Sequence, residues 1–225
     1  MRPEDVCNDM SEPTRMKSGV PGASRLRLSS ARMAWRGGIG VIATDDPNVR
    51  AASDPVKREG DGKAPAGIFA LGTAFCYASQ PLRGIKMPYL NLTASIECVD
   101  DSGSKHYNQL VDRSVVTTDW NSSEDMRNAG ESYRWGIVVD HNGIVTGSHT
   151  NPPEPGGGSC IFLHIWHSND LGTSGCTAMP QIALENLLTW LDPSRKPLLV
   201  QLPERTYERL THRWMLPKLI DVPSR

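Results

Sequence analysis

Proline and glycine set the first limit on what this chain can become. Seventeen prolines and 20 glycines are spread through 225 residues. Each proline removes a backbone donor, and each glycine weakens a regular helix. Short strands joined by many turns are therefore expected in place of a helical bundle. A chain of this length can bury roughly 70–75% of its unfolded surface in one core, so it needs no disulfide merely to fold. With 24 Lys plus Arg against 25 Asp plus Glu, the formal net charge is −1. That balance argues against a polybasic nucleic-acid binder and against an acidic tail protein.

Punctuation by turn residues divides the sequence. Residues 1–55 are rich in Ser, Pro, Arg and Met and carry no sustained periodicity apart from a short strand candidate at 38–42, so they read as a poorly ordered or extended leader. The first 30 residues hold no apolar run of the roughly 7–15 residues that a secretory signal requires, and no segment is expected to cross a membrane. From Lys57 the character changes. Strands are expected at 67–71, 88–96, 135–140, 159–166 and 198–202, with polar loops at 100–108 and 117–128. A run of Pro and Gly at 151–158 can be neither helix nor central strand. After Pro180, the apolar residues Ile182, Leu184, Leu187, Leu188 and Leu191 form a helical stripe that Pro193 ends. The expected organisation is a leader over 1–55, a mainly β domain with a few helices over 56–203, and a C-terminal extension over 204–225.

The five cysteines are Cys7, Cys76, Cys98, Cys160 and Cys176, an odd number, so at least one thiol is free or paired with another molecule. No CxxC spacing occurs, which removes support for a zinc ribbon or a thioredoxin motif. Chemistry concentrates at Ser174-Gly175-Cys176, preceded by the strand residue His164. A cysteine at a glycine-flanked turn ahead of a helix can be a nucleophile, because unpaired N–H groups there lower the thiol pKa and can hold an oxyanion. Gly175 leaves room for a carbonyl to approach, and His164 could take the thiol proton. Without further context, a lone cysteine before a helix is more often a small buried hydrophobe. A metal reading of His164 and His167 is weak, since residues three apart on a strand face opposite sides.

The wider string resembles the L,D-transpeptidase catalytic domain, the YkuD family. Pro65-Ala66-Gly67-Ile68-Phe69 matches its early P-x-G-x-F segment, and His164 followed by Ser174-Gly175-Cys176 matches its later His and S-x-G-C. Glu97-Cys98-Val99-Asp100-Asp101, Tyr107-Asn108, Trp135-Gly136-Ile137 and the stretch 158–166 look like a subgroup of it. The resemblance implies a β-sandwich-like domain and acyl transfer on peptidoglycan stem peptides, with no metal or organic cofactor. Cys176 would form the thioester, His164 would serve as base and the Ile165 backbone carbonyl would orient the imidazole. Backbone N–H groups near Gly175 and Cys176 would hold the oxyanion, and Ser174 would hydrogen-bond near the nucleophile or simply cap the turn. Trp166, Thr177, Asp101 and Asn108 are candidates for the substrate cleft, with a core tryptophan and solvated loop caps as the plainer alternatives. The same resemblance makes Cys98 and Cys160 a possible disulfide, two separate buried thiols being the other outcome.

One departure bears on the reaction. Most of the family continues S-x-G-C-x-R, whereas Ala178 stands at that position here. A smaller branch with S-x-G-C-x-A-M includes enzymes that hydrolyse peptidoglycan-linked amides, so a cysteine amidase or carboxypeptidase is the alternative. A catalytically silent wall-binding module is the reading from outside the enzyme class. The implied substrate lies in the periplasm or cell wall, which conflicts with an N-terminus that shows no export signal.

Overall fold

The computed structural model describes residues 56–144, 152–167 and 171–217 in full, and residues 29–30 and 33–35 as backbone. The chain is mainly β, with two α-helices and mixed sheets. Its axis is β3 (Ala64–Cys76), whose small and apolar residues are buried along nearly the whole strand. Burial on both faces replaces the alternation of a half-exposed strand. It extends well beyond the expected 67–71, with a register shift between Leu71 and Ala74 against its neighbour. Gly72 and Thr73 sit at that irregularity, where a glycine commonly marks a bulge.

The main sheet runs β1 (Ser29–Ser30), β10 (Thr177–Met179), β9 (Phe162–Ile165), β8 (Trp135–Val139), β3, β11 (Leu198–Gln201), with β2 (Met33–Trp35) and β4 (Tyr89–Asn91) also paired to β3. β1 and β2 fall within the stretch read as a leader, and they pair with β10 and β3 respectively. The strand candidate at 38–42 lies outside the described residues. A second sheet has β5 (Ile96–Val99) between β6 (Leu110–Asp112) and β7 (Ser123–Asp125).

Three expectations need correction. The single strand expected over 88–96 is two elements, β4 and the start of β5, in different sheets. The loop expected over 117–128 contains β7, a polar strand paired to β5 that apolar patterning could not reveal. The C-terminal stretch includes α2 (Glu204–Leu210), and its Leu210 packs with Ala66 of β3 alongside Leu202, Trp214 and Leu216. Residues 204–217 are thus continuous with the fold.

Each face of the main sheet carries its own core. One face packs Phe69, Trp135, Ile137, Leu163, Ile165 and Met179 against Leu184, Leu188 and Leu191 at α1 (Gln181–Trp190). Pro180 is the N-cap of that helix, one position before the first turn in which it was expected. Ile182 is exposed, so the apolar stripe is narrower than the sequence pattern. The other face gathers Phe75, Val138, Phe162, Tyr133 and Cys176 against Ile96 and Cys98 of the small sheet. Edge-to-face contacts join Phe75, Phe162 and Tyr133, with ring centroids 5.3–5.8 Å apart.

Candidate functional site

Strand alternation places the site. On β9, Leu163 and Ile165 point toward α1, so Phe162 and His164 point toward the small sheet. β10 runs parallel to β9 with Ala178 opposite His164. Met179 belongs to the α1 face, so Ala178 shares the face of His164 and Cys176 leads directly onto it. A cavity of about 500 Å³ opens there, lined by Cys176, His164, Ala178, Ser174, Gly175, Trp166 and His167, with Lys57, Glu59, Asp100, Glu124, Tyr133 and Thr173 among the other walls.

His164 is 8% exposed and hydrogen-bonds through Nδ1 to the Ile165 carbonyl at 2.8 Å. A carbonyl can only accept, so Nδ1 carries the proton and Nε2 of the neutral ring is left as the basic nitrogen. The Tyr133 ring meets the imidazole edge-on, with centroids 5.3 Å apart, which restricts ring rotation. His164 and His167 both border the cavity, contrary to the opposite-face expectation, because β9 ends at Ile165 and the alternation stops.

The nucleophile candidate is held from both sides. The Phe162 N–H donates to Cys176 Sγ at 3.3 Å, and Sγ donates to the Cys160 carbonyl at 3.3 Å. Thr173 fastens the preceding turn, its hydroxyl donating to the Cys176 carbonyl at 2.5 Å. Gly175 has φ +144°, and a Cβ there would stand 3.2 Å from the Lys63 carbonyl oxygen. Both facts demand glycine. Gly175→Ala is expected to cost about 1–3 kcal/mol in stability, read as a lower urea midpoint.

The electrostatics correct the expectation of a lowered thiol pKa. Burial pushes Cys176 up to about 12 and Glu124 adds to this, against the opposing Phe162 N–H, Tyr133 hydroxyl and Lys57 charge. The helix that was to stabilise a thiolate begins only after β10, so Cys176 does not sit at its N-terminus. Burial also lowers His164 below the ordinary imidazole value, opposed by the Ile165 carbonyl. At neutral pH the resting pair is therefore thiol and neutral imidazole.

The remaining predicted residues divide by position. Trp166 is half-buried and lines the cavity, as do Ser174 and Gly175. Thr177 points away, its hydroxyl donating to Gln201 at 2.6 Å, as the alternation along β10 requires. Asp101 caps its own loop, accepting from the Gly103 and Asn121 backbone N–H groups. Asn108 is fully buried, accepts from the Cys160 N–H at 2.9 Å and donates to the carbonyls of His141 and Asn142. Neither Asp101 nor Asn108 is part of the cavity wall; the neighbouring Asp100 is.

Lys57, Glu124 and Tyr133 carry the weakest sequence signals. A lysine ahead of a glycine turn is ordinarily solvated, yet the Lys57 side chain is 3% exposed and its Nζ donates to Asp61 at 2.6 Å. Cys98 and Cys160 form a disulfide, and Cys176 is free. Cys76 is also disulfide-bonded, so it is not the free thiol that the odd count of cysteines requires, while Cys7 lies outside the described residues. Among the described residues, no helix is long and apolar enough to cross a membrane, and no group of three or more His, Cys, Asp and Glu is placed to hold a metal.

Fold and site together define a class: a mainly β protein with a buried thiol and an oriented histidine on one cavity wall. No family model, no curated protein and no solved structure matches the chain.

Proposed function

We propose that this chain is a cysteine acyltransferase of the L,D-transpeptidase, YkuD-like kind, acting on peptidoglycan stem peptides outside the cytoplasmic membrane. The observation that carries the reading is the single cavity wall shared by the free thiol of Cys176 and an imidazole whose Nδ1 proton is committed to the Ile165 carbonyl. Two packed sheets around that wall support the sandwich-like part of the proposal.

In the mechanism, Cys176 attacks the carbonyl of the third stem residue. His164 Nε2 takes the thiol proton as the S–C bond forms, because a thiol held near 12 has almost no thiolate at rest. The imidazolium then delivers that proton to the leaving D-Ala nitrogen as the C–N bond breaks, leaving a thioester. An acceptor amine completes transfer, and water completes hydrolysis. Ala178 at the cavity wall, where most of the resembled family has Arg, is the feature favouring the hydrolytic alternative.

Incubation with a disaccharide-tetrapeptide tests the reading and separates its two forms. Transfer yields a cross-linked dimer with release of D-Ala, and hydrolysis yields a tripeptide monomer. Intact-mass analysis after carbapenem treatment should show one adduct, located on Cys176 by peptide mapping. A folded chain with neither adduct nor product is a silent module.

A further inference from the structure

Tyr133 stands between the proposed nucleophile and a carboxyl group. Its hydroxyl donates to Glu124 Oε2 at 2.7 Å, and Tyr133 packs in one cluster with Cys176, close enough for hydroxyl and thiol to bear on each other's titration. One hydroxyl proton thus has two candidate acceptors. Glu124 comes from β7, opposite Cys98 of β5, and Tyr133 from the short 3-10 helix Gly130–Tyr133. Both line the cavity with Cys176 and His164. The acid–base steps above leave this pair without a role.

We propose that Glu124 and Tyr133 form a positioning pair that sets the reactivity of Cys176: with Glu124 neutral, its carboxyl hydrogen is donated to Tyr133 Oη and the Tyr133 O–H turns to the sulfur, whereas ionised Glu124 draws the Tyr133 proton away. The proposal rests on Cys176 being the nucleophile. No bond to sulfur or carbon changes in the switch; one proton leaves Glu124 for solvent, and one hydroxyl rotates.

The surroundings place the switch near neutrality. Burial raises Glu124 to about 7, the Tyr133 hydroxyl opposes this, and the carboxylates of Asp100 and Glu59 push it further up. Facing the sulfur are Lys57, Glu124, Tyr133 and the Phe162 N–H, with the His164 imidazole on the same cavity wall and neutral through the neutral and alkaline range. The sign follows. Below pH about 7, Glu124 is neutral and the hydroxyl can stabilise a thiolate; above it, the new negative charge and the withdrawn hydroxyl both disfavour the thiolate.

Alkylation of Cys176 by iodoacetamide, followed by mass analysis of its peptide in the full chain from about pH 5.5 to about pH 9, measures thiol reactivity without requiring acyl transfer. In the unaltered protein the rate should climb less than tenfold per pH unit through about 7, giving a shoulder. Glu124→Gln should remove the shoulder. At the alkaline end it should react roughly threefold faster, since a tenfold gain in thiolate is offset by about a threefold loss of intrinsic nucleophilicity. Tyr133→Phe should react more slowly below about pH 7 and approach the unaltered rate above it, where the hydroxyl is already withdrawn, and adding Glu124→Gln to it should give a smaller gain than in the tyrosine background. A Glu124→Gln profile that superimposes on the unaltered one overturns the proposal, as does a Tyr133→Phe chain that keeps both rate and shoulder. Near-ultraviolet circular dichroism checks folding, and a Glu124→Gln chain that fails to fold leaves Tyr133→Phe as the deciding variant. A chain that alkylates as expected but releases no D-Ala refutes the acyltransferase reading alone.

Discussion

Cys176→Ala is expected to lower kcat/KM for D-Ala release from a tetrapeptide stem by about 10⁴- to 10⁶-fold, because a residue that carries a covalent intermediate has no substitute. Alanine also disturbs packing. The sulfur accepts from Phe162 N–H and donates to the Cys160 carbonyl, and losing it leaves those groups unpaired at a cost of about 1–3 kcal/mol. Cys176→Ser is the informative control, since its hydroxyl keeps one donor and an acceptor at that position. If the serine chain matches the parent in urea midpoint and is still inactive, the loss is chemical. His164→Gln should reduce turnover by about 10²–10⁴-fold, the usual contribution of a general base. It should leave a thiol that strong alkylating agents still modify. Retained D-Ala release by Cys176→Ala would refute the assigned nucleophile, and with it the thioester.

The parts of the site legible in the sequence are those where alternation and punctuation coincide. The apolar run around 162–165 had to be a buried strand, and its period of two puts His164 on the face of Phe162. Extending the same rule past Gly175 would have separated Cys176 and Ala178 from Thr177, and would have withheld Thr177 from the cleft. What hid that step was β10, three residues taken as the approach to a helix. Glu124 and Tyr133 were out of reach for a different reason. A polar strand and a one-turn 3-10 helix carry no hydrophobic period, so only the tertiary packing of the small sheet on Phe162 brings them to the sulfur. Asp100 and Asp101 illustrate the remaining limit. Adjacent carboxylates leave the end of β5 in different directions, and the loop hydrogen bonds that claim Asp101 are set by Asn121, from a distant stretch of chain.

Removing the Cys98–Cys160 disulfide should destabilise the chain by about 4 kcal/mol, the loop-closure value for a 62-residue separation. Reduction is a poor way to test this, because Cys76 is disulfide-bonded as well and both links would open. The double variant Cys98→Ala/Cys160→Ala isolates one of them, and alanine is preferred because both positions are almost wholly buried and a serine hydroxyl would need a partner there. The link joins β5 to the residue whose carbonyl accepts from the Cys176 thiol, so stability and reactivity could fall together. Asn108 separates them. Its Oδ1 holds the residue-160 N–H at 2.9 Å while its Nδ2 is anchored on the His141 and Asn142 carbonyls, and none of these bonds involves sulfur. Well below its lowered melting point, the double alanine variant should therefore retain most of its carbapenem adduct rate at Cys176. Adding Asn108→Ala should abolish that rate, because residue 160, at φ +54° in the native chain, then loses the Asn108 hydrogen bond as well as the disulfide. A double variant that keeps the parent urea midpoint would mean that Ile96 and Met126, packed on Phe75 and Phe162, suffice to dock the small sheet. A double variant of normal stability without adduct formation would instead assign the disulfide to the site.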